Sequence, residues 1–501
     1  MIQNTPQKQN IKNIKYYTAL MIKYFIIICI NIMIITILSQ IIPLNIFATT
    51  QTEQQSVFKQ IIKSYMFIND FNIKEEERPV STEHPIWKYP FKITQYKFPI
   101  YYEITDLANE WPATQGEGIE IQHLNFARIA FLEKKYDKAK NILLSAKAKF
   151  GKQHPYARRL NYLIGLTFLT IANNTEKSTN TNDAKDNIKI THSNAATFLS
   201  AALLIDTQTD PLIDKIYPKQ MYNLAAIYYN YQRYAAAYGA ADKGLNFLRK
   251  TARTDFRSDL RRILVETHIK NRSYLDAAKE LDLMIRQEEN PQVAAIGFAR
   301  MGDIYFDLNN YELAEEQYNL ANKINDEIGK INPIYFILRG ESLFWLSKFS
   351  DSQKMFTYAL ESLAAKEITE ELDNEIIGYA QLRIADSYLL LNNKQKAQLE
   401  YFKITQDFPN TTISKIAHIR SACLELPNMD RNNTKHTLNL LEKLKTQDLH
   451  PKATELAWAC EATYYAQKEQ NEKMIQKIQT FYEKYPKSIL IKNLLTPVKE
   501  L

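Results

Sequence analysis

Between Val293 and Lys330 the apolar positions fall into two stripes. Phe298, Met301, Gly302 and Tyr305 recur three or four apart, and after a break at Leu308-Asn309-Asn310 so do Tyr311, Ala314, Tyr318 and Ala321. That period predicts two amphipathic helices folded into a hairpin. Gly302 and Ala314 stand where the helices must approach closely, and the large residues fill the space around them. One such hairpin cannot bury its apolar faces alone, so copies are required on either side.

The copies are present from Gly118 to the end of the chain. The first has Phe126-Ala127, Tyr136, Ala139 and Ala146. The second has Ile164-Gly165, Phe168, Ala195 and Ala202, and the third has Leu224-Ala225, Tyr228, Tyr234, Ala237 and Gly244. Leu264-Val265, Tyr274 and Ala277 mark the fourth, Gly340, Leu343, Phe349 and Phe356 the sixth, and Ile384-Ala385, Tyr388, Ala397 and Tyr401 the seventh. An irregular eighth covers about 413–447, and Ala462, Tyr465 and Phe481 mark the ninth. The aromatic opening the second helix recurs at Tyr234, Tyr274, Tyr311 and Phe349, in steps of 40, 37 and 38 residues. Inside the second copy, Asn173 to His192 is polar and nearly free of large apolar residues until Ile188, and is expected to be a disordered loop.

This order of bulky, small and aromatic positions resembles the tetratricopeptide (TPR) superfamily. The resemblance implies an all-α, right-handed α-solenoid of TPR-like helix hairpins over 118–501, about nine in number. The endings DFPNT (Asp407 to Thr411) and KYPKS (Lys484 to Ser488) are similar to those of exported bacterial envelope members of that family.

Ahead of the array the pattern changes twice. Residues 1–23 are polar and basic, and Tyr24 to Ala48 carries no charge. A basic flank, an apolar run and a small residue at Ala48 read as a signal peptide or N-terminal membrane anchor over 1–48, with residues 24–44 long enough to span a bilayer. Residues 49–501 would then lie outside the cytoplasm, in the periplasm or cell envelope. Ile28 before Cys29 does not suit a lipidation site. Residues 49–117 form a strap or capping segment, in which Trp87 to Ile104 is dense in aromatics and interrupted by Pro90 and Pro99. It is expected to pack as a cap over the first hairpin, with a partner-binding strap as the other reading.

Composition adds exclusions. Four lysines before position 24 account for more than half of the net +7, so residues 49–501 show no nucleic-acid footprint. Cys423 and Cys460 stand 37 residues apart, close to one repeat. Helix axes about 8–10 Å apart would leave them as two buried free thiols. The eight histidines form no zinc motif and no phosphate-binding loop occurs, so neither enzyme activity nor a cofactor or metal is expected.

Function is sought in the concave groove, which in the family is lined by the first helix of each hairpin. The residue after the small position there is Glu266, Asp303, Glu341 and Asp386 in hairpins four to seven, with Tyr229, Phe306, Phe344 and Trp345 on the same side. An acidic, aromatic-studded groove favours a basic protein or peptide partner, with ring faces able to hold Lys or Arg. Arg262 is the one basic residue expected inward in hairpins four to seven, so a clamp for acidic C-terminal peptides is not matched. The reading is a non-catalytic protein-protein interaction scaffold of the bacterial cell envelope. The alternative is a periplasmic TPR scaffold of a polysaccharide export system, which would want exposed aromatic platforms.

Overall fold

The computed structural model describes residues 55–73, 79–81, 84–88, 98–101, 111, 113–150, 154–178, 181–204, 210–287, 290–364, 371–426, 431–447, 449–468 and 470–490. The expected signal or anchor segment lies outside them. Among the described residues no helix is long and apolar enough to cross a membrane. The chain divides into two units. The smaller comprises Met1–Met66 with Lys323–Asn325, and its described part includes a helix over 55–64, α1. The larger comprises Phe67–Asn322 and Asp326–Leu501 and contains the repeats.

Among the described residues the regular structure is entirely helical. The hairpins are α2 (Ile119–Leu132) with α3 (Tyr136–Phe150), α4 (Ala157–Ser178) with α5 (Asn182–Leu203), and α6 (Pro211–Asn230) with α7 (Tyr234–Thr251). Then come α8 (Arg257–Lys270) with α9 (Tyr274–Gln287) and α10 (Pro291–Asp307) with α11 (Tyr311–Ile324). A single turn, α12 (Ile328–Ile331), precedes α13 (Ile334–Trp345) with α14 (Phe349–Ala364). The last three pairs are α15 (Glu371–Leu390) with α16 (Lys394–Asp407), α17 (Thr412–Glu425) with α18 (Arg431–Lys445), and α19 (Pro451–Gln467) with α20 (Asn471–Lys484).

The small positions do what their spacing demands. A Cβ on Gly302 would stand 2.7 Å from the Tyr318 ring, and one on Gly340 3.1 Å from the Phe356 ring. Glycine there lets an aromatic of the second helix lie flat on the first. The links are equally repetitive. Lys134, Gln232, Arg272, Asn309, Ser347 and Asn392 each hold a left-handed conformation, φ between 55° and 62°. After each, the next amide reaches back to a helix carbonyl, as Lys135 does to Ala130 and Asn310 to Tyr305. This 6→1 bond closes the helix and offsets the strain of a non-glycine residue there, so each hairpin bends alike. The first helices of successive hairpins also touch, α6 on α8, α15 on α17 and α17 on α19.

Two expectations are corrected. The stretch 173–192 is no loop: α4 and α5 run through it to Ser178 and from Asn182. Ala184 and His192 are buried there, and the Thr181 side chain caps α5 at the Ala184 amide. Few buried contacts suffice here: Ala184 and His192 face inward and Ile188 is half-buried, while Ile190 stays exposed. Cys423 and Cys460 are joined in a disulfide, with Cα atoms 5.3 Å apart. They do not occupy equivalent places. Cys423 follows the small position of α17 (Ala422) by one, whereas Cys460 precedes that of α19 (Ala462) by two. Those two places face each other across neighbouring first helices, closer than the axes are.

Candidate functional site: the inner face of the repeats

The same facing pair recurs. Counting from the small position, Glu266, Asp303, Glu341, Asp386 and Cys423 stand one residue after it. Asn125, Asn223, Arg300, Arg383, Arg420 and Cys460 stand two before it. Arg300 donates from Nε and Nη2 to Glu266 of the preceding hairpin at 2.7 and 2.8 Å, and from Nη1 to Asp303 at 2.8 Å. Arg383 repeats this one step on, with Nε to Glu341 at 2.5 Å and Nη1 to Asp386 at 3.1 Å. Arg420 Nε lies 3.9 Å from Asp386. Cys460–Cys423 is the covalent form of the same rung.

These rungs correct the expectation of an open acidic groove. Glu266, Glu341 and Asp386 are buried, Asp386 completely, and each carboxylate accepts from an arginine of its own array. Tyrosines complete the shells: Tyr318 donates to Asp303 at 2.8 Å, Tyr379 to Glu341 at 2.7 Å and Tyr401 to Asp386 at 2.6 Å. Burial with this many donors demands ion pairing, and a bidentate guanidinium supplies it. Arg383 is fully buried, and although burial lowers its pKa, Glu341, Tyr379 and Asp386 together hold it well above its ordinary value. Burial pushes the Asp303 carboxyl up to about 6 against the pull of Arg300 and Tyr318. The expectation that Arg262 alone is basic on this side is corrected too, since Arg300 and Arg383 are the arginines that neutralise it.

Three of the four aromatic candidates hold cations, but those of the chain itself. The Arg383 guanidinium lies 4.8 Å from the Phe344 ring centre and 6.0 Å from that of Trp345. Phe344 is fully buried and Trp345 half-buried, its indole donating to Glu341 at 3.1 Å. Phe306 carries the Lys88 ammonium 4.1 Å above its ring, while Lys88 also donates to Asn309 at 2.9 Å. Tyr229 is buried beneath Phe98, the rings edge to face at 5.0 Å.

Lys88 and Phe98 belong to the strap, and the strap is the occupant of the inner face. It is not confined to the first hairpin. Thr114 lies on α2, Phe98 and Tyr101 on α6, and Lys88 at the end of α10, so the segment runs against the order of the repeats. Three asparagines grip its main chain in the same manner, each side-chain oxygen accepting an amide and each side-chain nitrogen donating to the carbonyl of that same residue. Asn125 holds Thr114 at 2.9 and 2.9 Å, Asn223 holds Tyr101 at 2.9 and 3.2 Å, and Asn230 holds Phe98 at 2.9 and 2.8 Å. Tyr222 adds a bond to the Pro99 carbonyl at 2.9 Å. An extended chain presents one donor and one acceptor per residue, and a primary amide matches both. Farther back, Phe71 stacks on Tyr305 at 5.5 Å, and Trp87 is buried with the Lys452 ammonium 5.4 Å from its ring.

Sequence reasoning missed these asparagines. The signal was present: Asn125 and Asn223 share the register place that Arg300 and Arg383 occupy further on. It was hidden by the general abundance of asparagine. Among the described residues no group of His, Cys, Asp and Glu is placed to hold a metal ion.

The fold and this face define a TPR-like array of helix hairpins whose inner side receives extended polypeptide. No family model and no curated protein matches the chain. Solved structures that it is similar to include a tetratricopeptide repeat protein from Parabacteroides merdae, at 11% identity over 68% of this chain and 98% of that one, TM-score 0.26. Another is the P58(IPK) TPR domain, at 11% identity over 76% and 98%, TM-score 0.24. A third is the APC/C hetero-tetramer Cut9-Hcn1, at 10% identity over 78% and 98%, TM-score 0.28.

Proposed function

We propose that the protein is a non-catalytic scaffold of the bacterial cell envelope that holds a partner protein through an extended segment laid along its inner face. The observation that carries the reading is the row of asparagine clamps, which hold main chain without regard to side chain. The uncharged run at residues 24–44 behind a basic flank supplies export or anchoring in the membrane. The Cys423–Cys460 disulfide belongs with an oxidising compartment such as the periplasm. The basic character proposed for the partner narrows to one seat, where Phe306, Tyr311 and Asp307 surround Lys88. A polysaccharide export scaffold would offer open aromatic platforms, and Trp345, tied to Glu341 and stacked on Tyr311, is not one.

The test is crosslinking of intact cells with a membrane-impermeant amine reagent, followed by isolation of the full chain. A discrete protein partner crosslinked to the chain in the envelope fraction is expected. Recovery of the chain uncrosslinked, in the cytosolic fraction and with both cysteines reduced, would overturn the proposal.

A further inference from the structure

We propose that residues 98–101 are a built-in competitor. The stretch of α6 they occupy is the partner's binding surface, and the partner replaces them with an extended segment carrying an aromatic residue at the Phe98 place. This rests on the scaffold reading above and specifies where its partner binds.

Geometry makes α6 a ruler for extended chain. Asn223 and Asn230 are seven residues apart, about 10.5 Å along a helix at 1.5 Å per residue. They hold Tyr101 and Phe98, three residues apart, about 10 Å in an extended chain at 3.3 Å per residue. The two repeats coincide, so consecutive clamps fall on main-chain groups whatever the sequence. All four clamp bonds go to backbone atoms. Side-chain selection is left to one slot, where Phe98 is 3% exposed between Tyr222 and Tyr229. Tyr101 remains 39% exposed and contributes less.

The strap also fits this surface incompletely. Tyr229 Oη and Gln220 Nε2 are buried on α6 beside the clamps, and neither has a hydrogen-bond partner among the described residues. Two buried donors left unmet are costly. A segment that brings a hydrogen-bond acceptor to them, besides an aromatic ring for the slot, gains what the strap forgoes. The strap's advantage is its tether, which holds it at an effective concentration in the millimolar range. A partner that satisfies Tyr229 and Gln220 can overcome that, and the strap keeps the face closed to weaker ligands.

The experiment uses the full chain and a fluorescent peptide of residues 95–104 as probe, read by anisotropy. Phe98→Ala loosens the built-in strap while leaving the clamps, so the probe is expected to bind this variant at least tenfold more tightly than it binds the unaltered chain. Adding Asn223→Ala and Asn230→Ala is expected to abolish that binding. Equal binding to the unaltered and Phe98→Ala chains overturns the proposal, as does binding that survives loss of both asparagines. Should Phe98→Ala fail to fold, amide exchange in the unaltered chain decides. Phe98 and Tyr101 amides exchanging faster than those of Leu224 and Ile227 support a strap that opens locally, and equal protection overturns it. A chain with Asn223→Ala and Asn230→Ala that still crosslinks its envelope partner sinks this inference and leaves the scaffold reading standing.

Discussion

The inner face solves one packing problem in two ways along its length. On α2 and α6 the place two residues before the small position is asparagine, and it faces the main chain of the strap. On α10, α15 and α17 the same place is arginine, and it faces a carboxylate of the preceding hairpin. What faces the place decides its chemistry. A peptide group offers one donor and one acceptor, which an amide matches, whereas a carboxylate offers only acceptors, which a guanidinium matches. The early part of the face therefore grips the strap by its main chain, whereas the later part joins hairpins and meets the strap through side chains such as Lys88 and Trp87. Stacked helix hairpins carry their energy in nearest-neighbour interfaces, so the arginine rungs concern stability and the asparagine clamps concern occupancy.

The sharpest way to break this division is at Arg383. Arg383→Met should cost about 3–5 kcal/mol, because Glu341 would be left buried without its cation and Asp386 with only the longer contact to Arg420. Denaturant unfolding measures it, and the triple change with Glu341→Gln and Asp386→Asn should recover much of the loss. If Arg383→Met alone is neutral, the rungs do not hold the hairpins. Next in size is the disulfide rung. Replacing Cys423 and Cys460 with Ser opens a closure spanning 37 residues, which should cost about 4 kcal/mol on loop entropy. Its loss should appear in the final hairpins, as raised amide exchange in α17 to α20 with α2 to α9 unchanged.

The two stretches also differ in how far they could be read from sequence. The hairpins were legible because small and aromatic positions recur at fixed spacing, and Gly302 and Gly340 indeed sit beneath Tyr318 and Phe356. The carboxylates Glu266, Asp303, Glu341 and Asp386 were legible as a series on one side. Their meaning was not, since pairing depends on which residue of the next hairpin faces them, 34 positions on for Glu266 and 42 for Glu341. The cysteines were misread for the same reason: a repeat-length spacing suggests equivalent places, and only the offset of one after against two before brings them together. The strap's aromatics stood out, but its seat on α6 could not, because main-chain grips leave no periodic trace in the segment gripped.

Smaller effects separate the clamps from the rungs. Asn230→Ala should cost about 1 kcal/mol, the net worth of its bonds to a half-solvated backbone. The change should speed amide exchange at Phe98 while leaving the unfolding midpoint of the later hairpins in place. Asn230→Asp keeps the acceptor and loses the donor, so it should restore protection at the Phe98 amide but not the grip on its carbonyl. Equal effects of the two substitutions would show that the clamp does not work through paired bonds.

The smallest effect is one of sign. Burial raises the Asp303 carboxyl from 3.8 to about 6, so the folded chain binds that proton more tightly than the unfolded chain does. Its contribution to stability is fully present below about pH 4 and is lost as pH rises through about 6. His192 works in the opposite direction. Buried in α5 with its Nδ1 2.8 Å from the Tyr231 hydroxyl, it is lowered from 6.5 to about 4, so its contribution is present above 6.5 and is lost as pH falls toward 4. Over the same window the two slopes partly cancel in the intact chain, and single substitutions separate them. Asp303→Asn should leave stability rising with pH between about 4 and 6.5, and His192→Gln should leave it falling. Denaturation midpoints at several pH values measure both. If Asp303→Asn leaves the profile unchanged, Arg300 already keeps that carboxylate ionised, and the rung is a complete ion pair at every pH in the window.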